Sequence, residues 1–320
     1  MRNSLLISCL ITAGILSACN SGGSSSASGC DQPSQQWTNQ IGAASNGGGR
    51  ITYDPVKNMA YRDYESGGKV LCMVSGSASA STPWDCNTLN NNLPSNISIG
   101  STNVVTDNSG NVYAFGAGNS QSYLLKYDGS SWTSYPLTGA PTDGNSIGDS
   151  IFFYNGNFYA VSYSGSSGNV TTNLVGYNSS GSYVGSINNL YNGSSQLQYA
   201  TSAIYNGRMY VTANNQVQSI NLANPSDIQN FTAIPSPAGG MTLGLTVNAN
   251  GIVACNIYGI FSSSLNNSGW SNIGYTYSIT QSGQTAYIGC MYAASKGNKA
   301  LVVGYTPDSG SGVNAVYLQP

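Results

Sequence analysis

Histidine is absent from this chain, and charge of either sign is scarce. The first absence removes Ser–His and Cys–His nucleophiles and every histidine-ligated metal, because each needs an imidazole that titrates or coordinates near neutral pH. The second is as restrictive: charged residues are 6% of the chain, against roughly 25% in ordinary globular domains. Nine Lys and Arg residues, scattered singly in a chain of net charge −2, cannot build the basic stripe that phosphate backbones require. Nucleic acid is excluded as a partner. The cysteines show no CxxC spacing, which without histidine argues against zinc, and no cofactor is expected. A low-charge chain poor in apolar residues would stay disordered, but β-branched residues and 23 tyrosines are present, so a folded domain is expected. Its surface must be Ser, Asn, Gly, Thr, Gln and Tyr.

Long hydrophobic runs are also missing, with one exception at the start. Leu5–Leu16 is an apolar run behind the single positive charge of Arg2. It is too short for a mature transmembrane helix, which needs roughly 20 residues, but suits the core of a signal peptide. The run ends in Leu16-Ser17-Ala18-Cys19. These residues resemble the lipobox of bacterial lipoproteins, and the resemblance implies cleavage after residue 18 and acylation of Cys19. Asn20 in the next position is a residue that, in such proteins, permits export to the outer membrane. The Ser/Gly stretch that follows can bury nothing and reads as a flexible tether over residues 19–34. The expected plan is a signal peptide at 1–18, lipidated Cys19 and tether, and one domain at 35–320.

That domain carries an internal repeat. NVVTDNSGNVYAFG from Asn103, SIFFYNGNFYAVS from Ser150 and SAIYNGRMYVTA from Ser202 each read as a β-hairpin, two strand-forming runs joined by Gly or Asn. Weaker copies start at Arg50, Gly244 and Ser278. After most copies comes a second strand–turn–strand signal whose last strand has a bulky aromatic: Trp132, Tyr183, Phe231 and Trp270, with Trp84 in the first repeat. Four antiparallel strands at a period of about 35 to 50 residues make one blade of a β-propeller. The copies predict an all-β propeller, most simply of six blades. Closure is open between two schemes, in which QWTNQI around Trp37 pairs beside Val313–Gln319 or the C-terminal run completes the last blade itself. The turns and outer aromatics resemble Kelch propellers, and the SGNVY-type hairpins resemble NHL propellers. This implies the fold, and leaves ligand and activity open.

Five cysteines remain in the exported part, where disulfides persist. Cys72 and Cys86 fall on adjacent third and fourth strands of one blade and are expected to pair. Cys255 and Cys290, placed on second strands of neighbouring blades, would project from the same face of their own sheets, which argues against a bond between them. Cys30 completes an odd number, so one thiol should stay free or pair elsewhere.

Carboxylates are the only catalytic chemistry left. Asp107, Asp128, Asp143 and Asp308 sit in turns, where they serve the backbone; the TDNSGN loop at Asp107 is read as turn chemistry rather than calcium binding. One polar concentration stands apart, YDPVKNMAYRDYESGGK at 53–69, with Arg62, Asp63 and Glu65 as a candidate site. A glycosidase needs two facing carboxylates, but these residues also suit a solvated strand, and no Asp-box repeat supports a sialidase. The expected function is therefore non-catalytic: a monomeric, membrane-anchored module that binds a protein on a propeller loop face, the alternatives being a glycan-binding propeller, a periplasmic assembly factor or, last, a carbohydrate-active hydrolase. Proteins are favoured because no polar trio recurs from blade to blade as in a repeated lectin site.

Overall fold

The structure, a computed structural model, describes residues 35–46, 49–65, 69–100, 103–139, 150–166, 169–193, 202–213, 216–235, 243–256, 258–266, 269–281, 284–305 and 313–320. These form a β-propeller of six blades built on four antiparallel strands. Blade 3 is Ile151–Tyr154, Asn157–Ser166, Asn169–Tyr177 and Tyr183–Gly193; blade 4 is Ser202–Tyr205, Arg208–Ala213, Gln216–Asn221 and Asn224–Ala233. Blade 5 is Gly244–Asn248, Gly251–Asn256, Gly259–Ser263 and Ser271–Gly274. In each, the expected hairpin supplies the first two strands. Its tight turns use residues that accept positive φ, such as Asn155-Gly156 (φ 49° and 76°) and Asn206-Gly207 (φ 47° and 72°).

Blades 1 and 2 depart from the plain pattern. Blade 1 has three full strands, Ile51–Asp54, Met59–Glu65 and Lys69–Ser75. Its fourth is reduced to one residue pair, Met73 and Asp85, which exchange both backbone hydrogen bonds at 2.9 Å. Farther along the same edge, the Asn90 side chain stands in for a peptide, donating to the Leu71 carbonyl (2.9 Å) and accepting from its N–H (3.4 Å). Asn90 lies on a short helix, Asn87–Asn91, whose first N–H groups are capped by Asp85 Oδ1 (2.9 and 3.0 Å). In blade 2 the innermost strand is split: Ser98–Ile99 and Val105–Thr106 both pair with Val112–Gly118, followed by Gln121–Tyr127 and Trp132–Pro136. Here Asn103 repeats the trick of Asn90, bonding both the N–H and the carbonyl of Ile151 on blade 3 at 2.9 Å.

Blade 6 settles the closure. Tyr292–Lys296, Lys299–Tyr305 and Val313–Leu318 are its inner strands, and Gln40–Asn46 is the outermost, so the N-terminus completes the sheet the C-terminus began. Residues ahead of it lean on blade 5. The Trp37 N–H donates to the Tyr275 carbonyl (2.8 Å), and the indole N–H donates to the Ile273 carbonyl (3.1 Å). The repeat expected from Ser278 is a correction. Tyr277–Gln281 and Gln284–Ile288 form a separate two-stranded hairpin inserted before blade 6, whose own first hairpin is YAASKGNKALVVGY.

No blade can bury its own faces, and the core shows this directly. There are six buried clusters, each shared by two successive blades: Tyr61 and Leu71 with Leu125 and Trp132 between blades 1 and 2, on through to Ile41, Leu301 and Val316 with Ile51 and Val74 between blades 6 and 1. The ring is thus held by blade–blade seams rather than by one central core. Antiparallel alternation gives it two ends. The turns between first and second strands all lie at one, the hairpin end; the links from one blade to the next lie at the other, the linker end. Among the described residues no helix is long and apolar enough to cross a membrane.

Candidate functional site

The residues singled out in the sequence do not converge. Arg62, in the second strand of blade 1, is 1% exposed and faces blade 6, where its guanidinium donates to Ser45 Oγ (3.1 Å) and lies 5.9 Å from the Trp84 ring centroid. Asp63 is the next residue on the same strand and so projects from the opposite face, toward blade 2. Glu65 ends the strand, its backbone paired with Lys69. Arg62 is therefore a buried strut in the closing seam, held beside a strand from the N-terminus.

The turn aspartates do what turn chemistry demands. Asp128 Oδ1 accepts from the N–H groups of Ser130 (2.8 Å) and Ser131 (3.0 Å) and from the Ser130 hydroxyl (2.8 Å). These bonds lower its carboxyl to about 2. For Asp107, burial works to raise the carboxyl, but bonds from Asn111, Ser109 and Tyr113 outweigh it and hold it below the ordinary value. Asp143 and Asp308 lie outside the described residues, as do residues 1–34 with Cys19 and Cys30. Among the described residues no three of His, Cys, Asp or Glu stand together in a way that would hold a metal.

Both described disulfides lie at blade margins. Cys72–Cys86 ties the third strand of blade 1 to the remnant of its fourth, with Cα atoms 4.0 Å apart. Cys255–Cys290, Cα–Cα 5.4 Å, is bonded where strand alternation argued against it. The reason is the inserted hairpin. Cys290 is not on a second strand but in the link between the insertion and blade 6, so sheet parity does not constrain it.

That insertion was not legible as a feature, and it adds a hairpin at the linker end. Its base is wedged into the seam between blades 5 and 6. The Thr276 hydroxyl donates to the Gly289 carbonyl (2.5 Å), and Thr276 packs so closely on Gly304 of blade 6 that a Cβ there would collide with it. On the other side the Gly289 N–H donates to the Asn256 carbonyl (3.1 Å), and a Cβ on Gly289 would collide with the Gly259 and Asn256 carbonyl oxygens. Four tyrosines, each half-buried, lie along this stretch: Tyr258, Tyr275, Tyr277 and Tyr287. Tyr275 and Tyr287 meet edge to face, ring centroids 4.7 Å apart. Asn256, fully buried beside them, accepts from the Tyr258 N–H through Oδ1 (2.8 Å), while its Nδ2 has no acceptor among the described residues.

Charge is segregated around the ring. Between Ser150 and Ser295 the sequence contains only Arg208 and Asp227 as charged residues. They neutralise each other in an ion pair of 2.8 Å at the hairpin end of blade 4. Blades 3 to 5 and the insertion therefore present an uncharged surface.

No family model matches the sequence, and no curated protein matches it. Solved structures do. A protein of unknown function from Bacteroides thetaiotaomicron aligns with 90% of this chain and 76% of its own, at 12% identity and a TM-score of 0.53. A putative gluconolactonase aligns over 90% of both chains at 11% identity and a TM-score of 0.50. A gluconolactonase from Xanthomonas campestris is similar over 90% of this chain and 95% of its own, at 9% identity and a TM-score of 0.49. At such identities the likeness shows the fold, a β-propeller, and the fold alone.

Proposed function

We propose that this chain is a lipoprotein of the bacterial envelope, anchored through acylated Cys19 in the outer membrane, whose Kelch- or NHL-like propeller is a non-catalytic binding platform. The anchor rests on residues 1–34: a basic start, a short apolar core, the lipobox and a Ser/Gly leash. One observation carries the platform. Asp85, Asp107, Asp128 and Asp227 are each spent on a turn, a cap or an ion pair, and Arg62 on a seam. Such a fold offers a rigid ring with two loop faces, suited to docking a ligand rather than turning one over.

Two measurements test this. Mass spectrometry of the mature N-terminus should find a diacylglyceryl group on Cys19; a soluble, unmodified mature chain would refute the anchor. Affinity capture from native envelopes should retain a ligand that the purified protein returns unchanged. Turnover of a glycoside or lactone by the purified protein would refute the platform.

A further inference from the structure

We infer that the seam between blades 5 and 6 at the linker end binds a neutral carbohydrate, with Tyr275 and Tyr287 as its stacking platform and Tyr258 and, through a bridging water, Asn256 as polar partners. This deepens the platform reading by naming a ligand class, and it rests on that reading. Four features lead there. The rings are amphipathic: a Tyr face lies against the C–H face of a pyranose while its hydroxyl reaches sugar hydroxyls. An edge-to-face pair 4.7 Å apart presents one ring face and one hydroxyl edge at a fixed angle.

Preorganisation is the second feature. The Cys255–Cys290 bond, the Thr276–Gly304 contact and the Gly289–Asn256 hydrogen bond all fix the base of the insertion before any ligand arrives, which reduces the ordering cost of binding. The third is the buried Asn256 amide. Buried N–H donors are nearly always satisfied, and the Asn256 Nδ2 lacks an acceptor among the described residues at this seam. A buried water bridging to a sugar hydroxyl supplies it.

The fourth feature selects the ligand. Protein partners are steered and registered by charge, and anionic glycans need cations. This sector has neither: Arg208 and Asp227 pair with each other, and no other charge occurs from Ser150 to Ser295. Asn, Ser, Thr, Gln and Tyr suit hydroxyls. The lack of a polar trio in every blade is no objection, because this site is built by an insertion rather than by the repeat.

The test uses the purified full-length lipoprotein in detergent micelles against immobilised glucan, mannan and galactan, with alginate and heparin as anionic controls. Retention on at least one neutral polysaccharide is expected, unchanged by high salt. Tyr275→Ala and Tyr287→Ala should each weaken it about tenfold or more, Tyr287→Phe much less, and Tyr53→Phe at the hairpin end not at all. Hydroxyl-radical footprinting of the unmutated protein needs no variant, and should show Tyr275 and Tyr287 protected by the bound polysaccharide. Binding to the anionic controls alone, undiminished binding by folded alanine variants, or protection elsewhere overturns the inference. So does capture of an envelope protein that these variants lose while no polysaccharide binds, which leaves the platform reading intact. Hydrolysis of a bound neutral polysaccharide overturns the platform and leaves the site.

Discussion

Replacing Trp37 by alanine should open the ring at its clasp. Trp37 is wholly buried between blades 5 and 6, among Val253, Ile260, Val302 and Tyr317, and its indole N–H is bonded to the Ile273 carbonyl. Trp→Ala in a core costs about 3–5 kcal/mol through lost transfer energy and the cavity left behind. With a urea m-value of about 3 kcal/mol/M for a domain of this size, the midpoint should fall by about 1–1.7 M. Trp37→Phe keeps most of the ring and loses the hydrogen bond, worth about 1 kcal/mol, and should fall by about a third of a molar unit. Far-UV circular dichroism is the readout, because the substitution itself removes a fluorophore. A second signature follows from topology. If Gln40–Asn46 peels away, the edge of Val313–Leu318 is exposed for pairing with another chain, so Trp37→Ala should form oligomers in size-exclusion runs near the midpoint. A midpoint within about 0.2 M of the parent, with no oligomer, would refute the N-terminal clasp.

Removing both Cys72 and Cys86 as serines should cost about 3 kcal/mol, the loop entropy of a short closed segment, read as a lower urea midpoint with the far-UV spectrum preserved. Arg62→Ala should cost about 3 kcal/mol or more by stripping the seam of a buried hydrogen-bonded group, whereas Arg62→Met, of similar length and apolar, should cost much less; equal losses in thermal melts would contradict a packing role. Because the Asp128 and Asp107 carboxyls are held below their ordinary values, the stability they add is present above the ordinary carboxyl range and drains as the pH falls through their lowered values, about 2 for Asp128. Asp107→Asn should flatten that acid limb of the melting temperature, and an unchanged slope would show the Asp107 bonds to be unimportant.

Much of the architecture could be read in the residues because the repeat is local. A hairpin such as SIFFYNGNFYAVS announces itself through strand formers and an Asn-Gly turn, both short-range signals. Period and copy number then fix the blades, since a single sheet cannot cover its own faces. The seam partners were not legible, and neither was the fate of the sixth copy. SITQSGQTAYIG has the composition of a blade hairpin, and only the competing claim of YAASKGNKALVVGY for the inner position reveals it as an insertion. From that one misplacement came the wrong face for Cys290. Likewise, the cluster of Arg62, Asp63 and Glu65 looked like a site because neighbours in sequence were counted together, although alternation along a strand separates the first two onto opposite faces. The tyrosines near the insertion lie across three segments, Tyr258, Tyr275–Tyr277 and Tyr287, and nothing in a linear sequence marks them as one group.

Asparagine, more abundant than tyrosine, has a different explanation. Among the described residues, six of the seven non-glycine residues with positive φ are asparagines, namely Asn58, Asn96, Asn119, Asn155, Asn189 and Asn206, and this residue tolerates the left-handed region better than other side chains. Two others, Asn90 and Asn103, close strand edges where blades 1 and 2 lack backbone to do so, each amide offering the donor–acceptor pair of a missing peptide. A propeller with an incomplete blade must hide such edges or risk pairing with another chain, and charged side chains are the usual guard. This sequence, with so little charge, uses side-chain amides instead. These eight asparagines are thus consumed by turns and edges and say little about a ligand, whereas Tyr275, Tyr277 and Tyr287, on and beside the inserted hairpin, lie outside the four-stranded repeat.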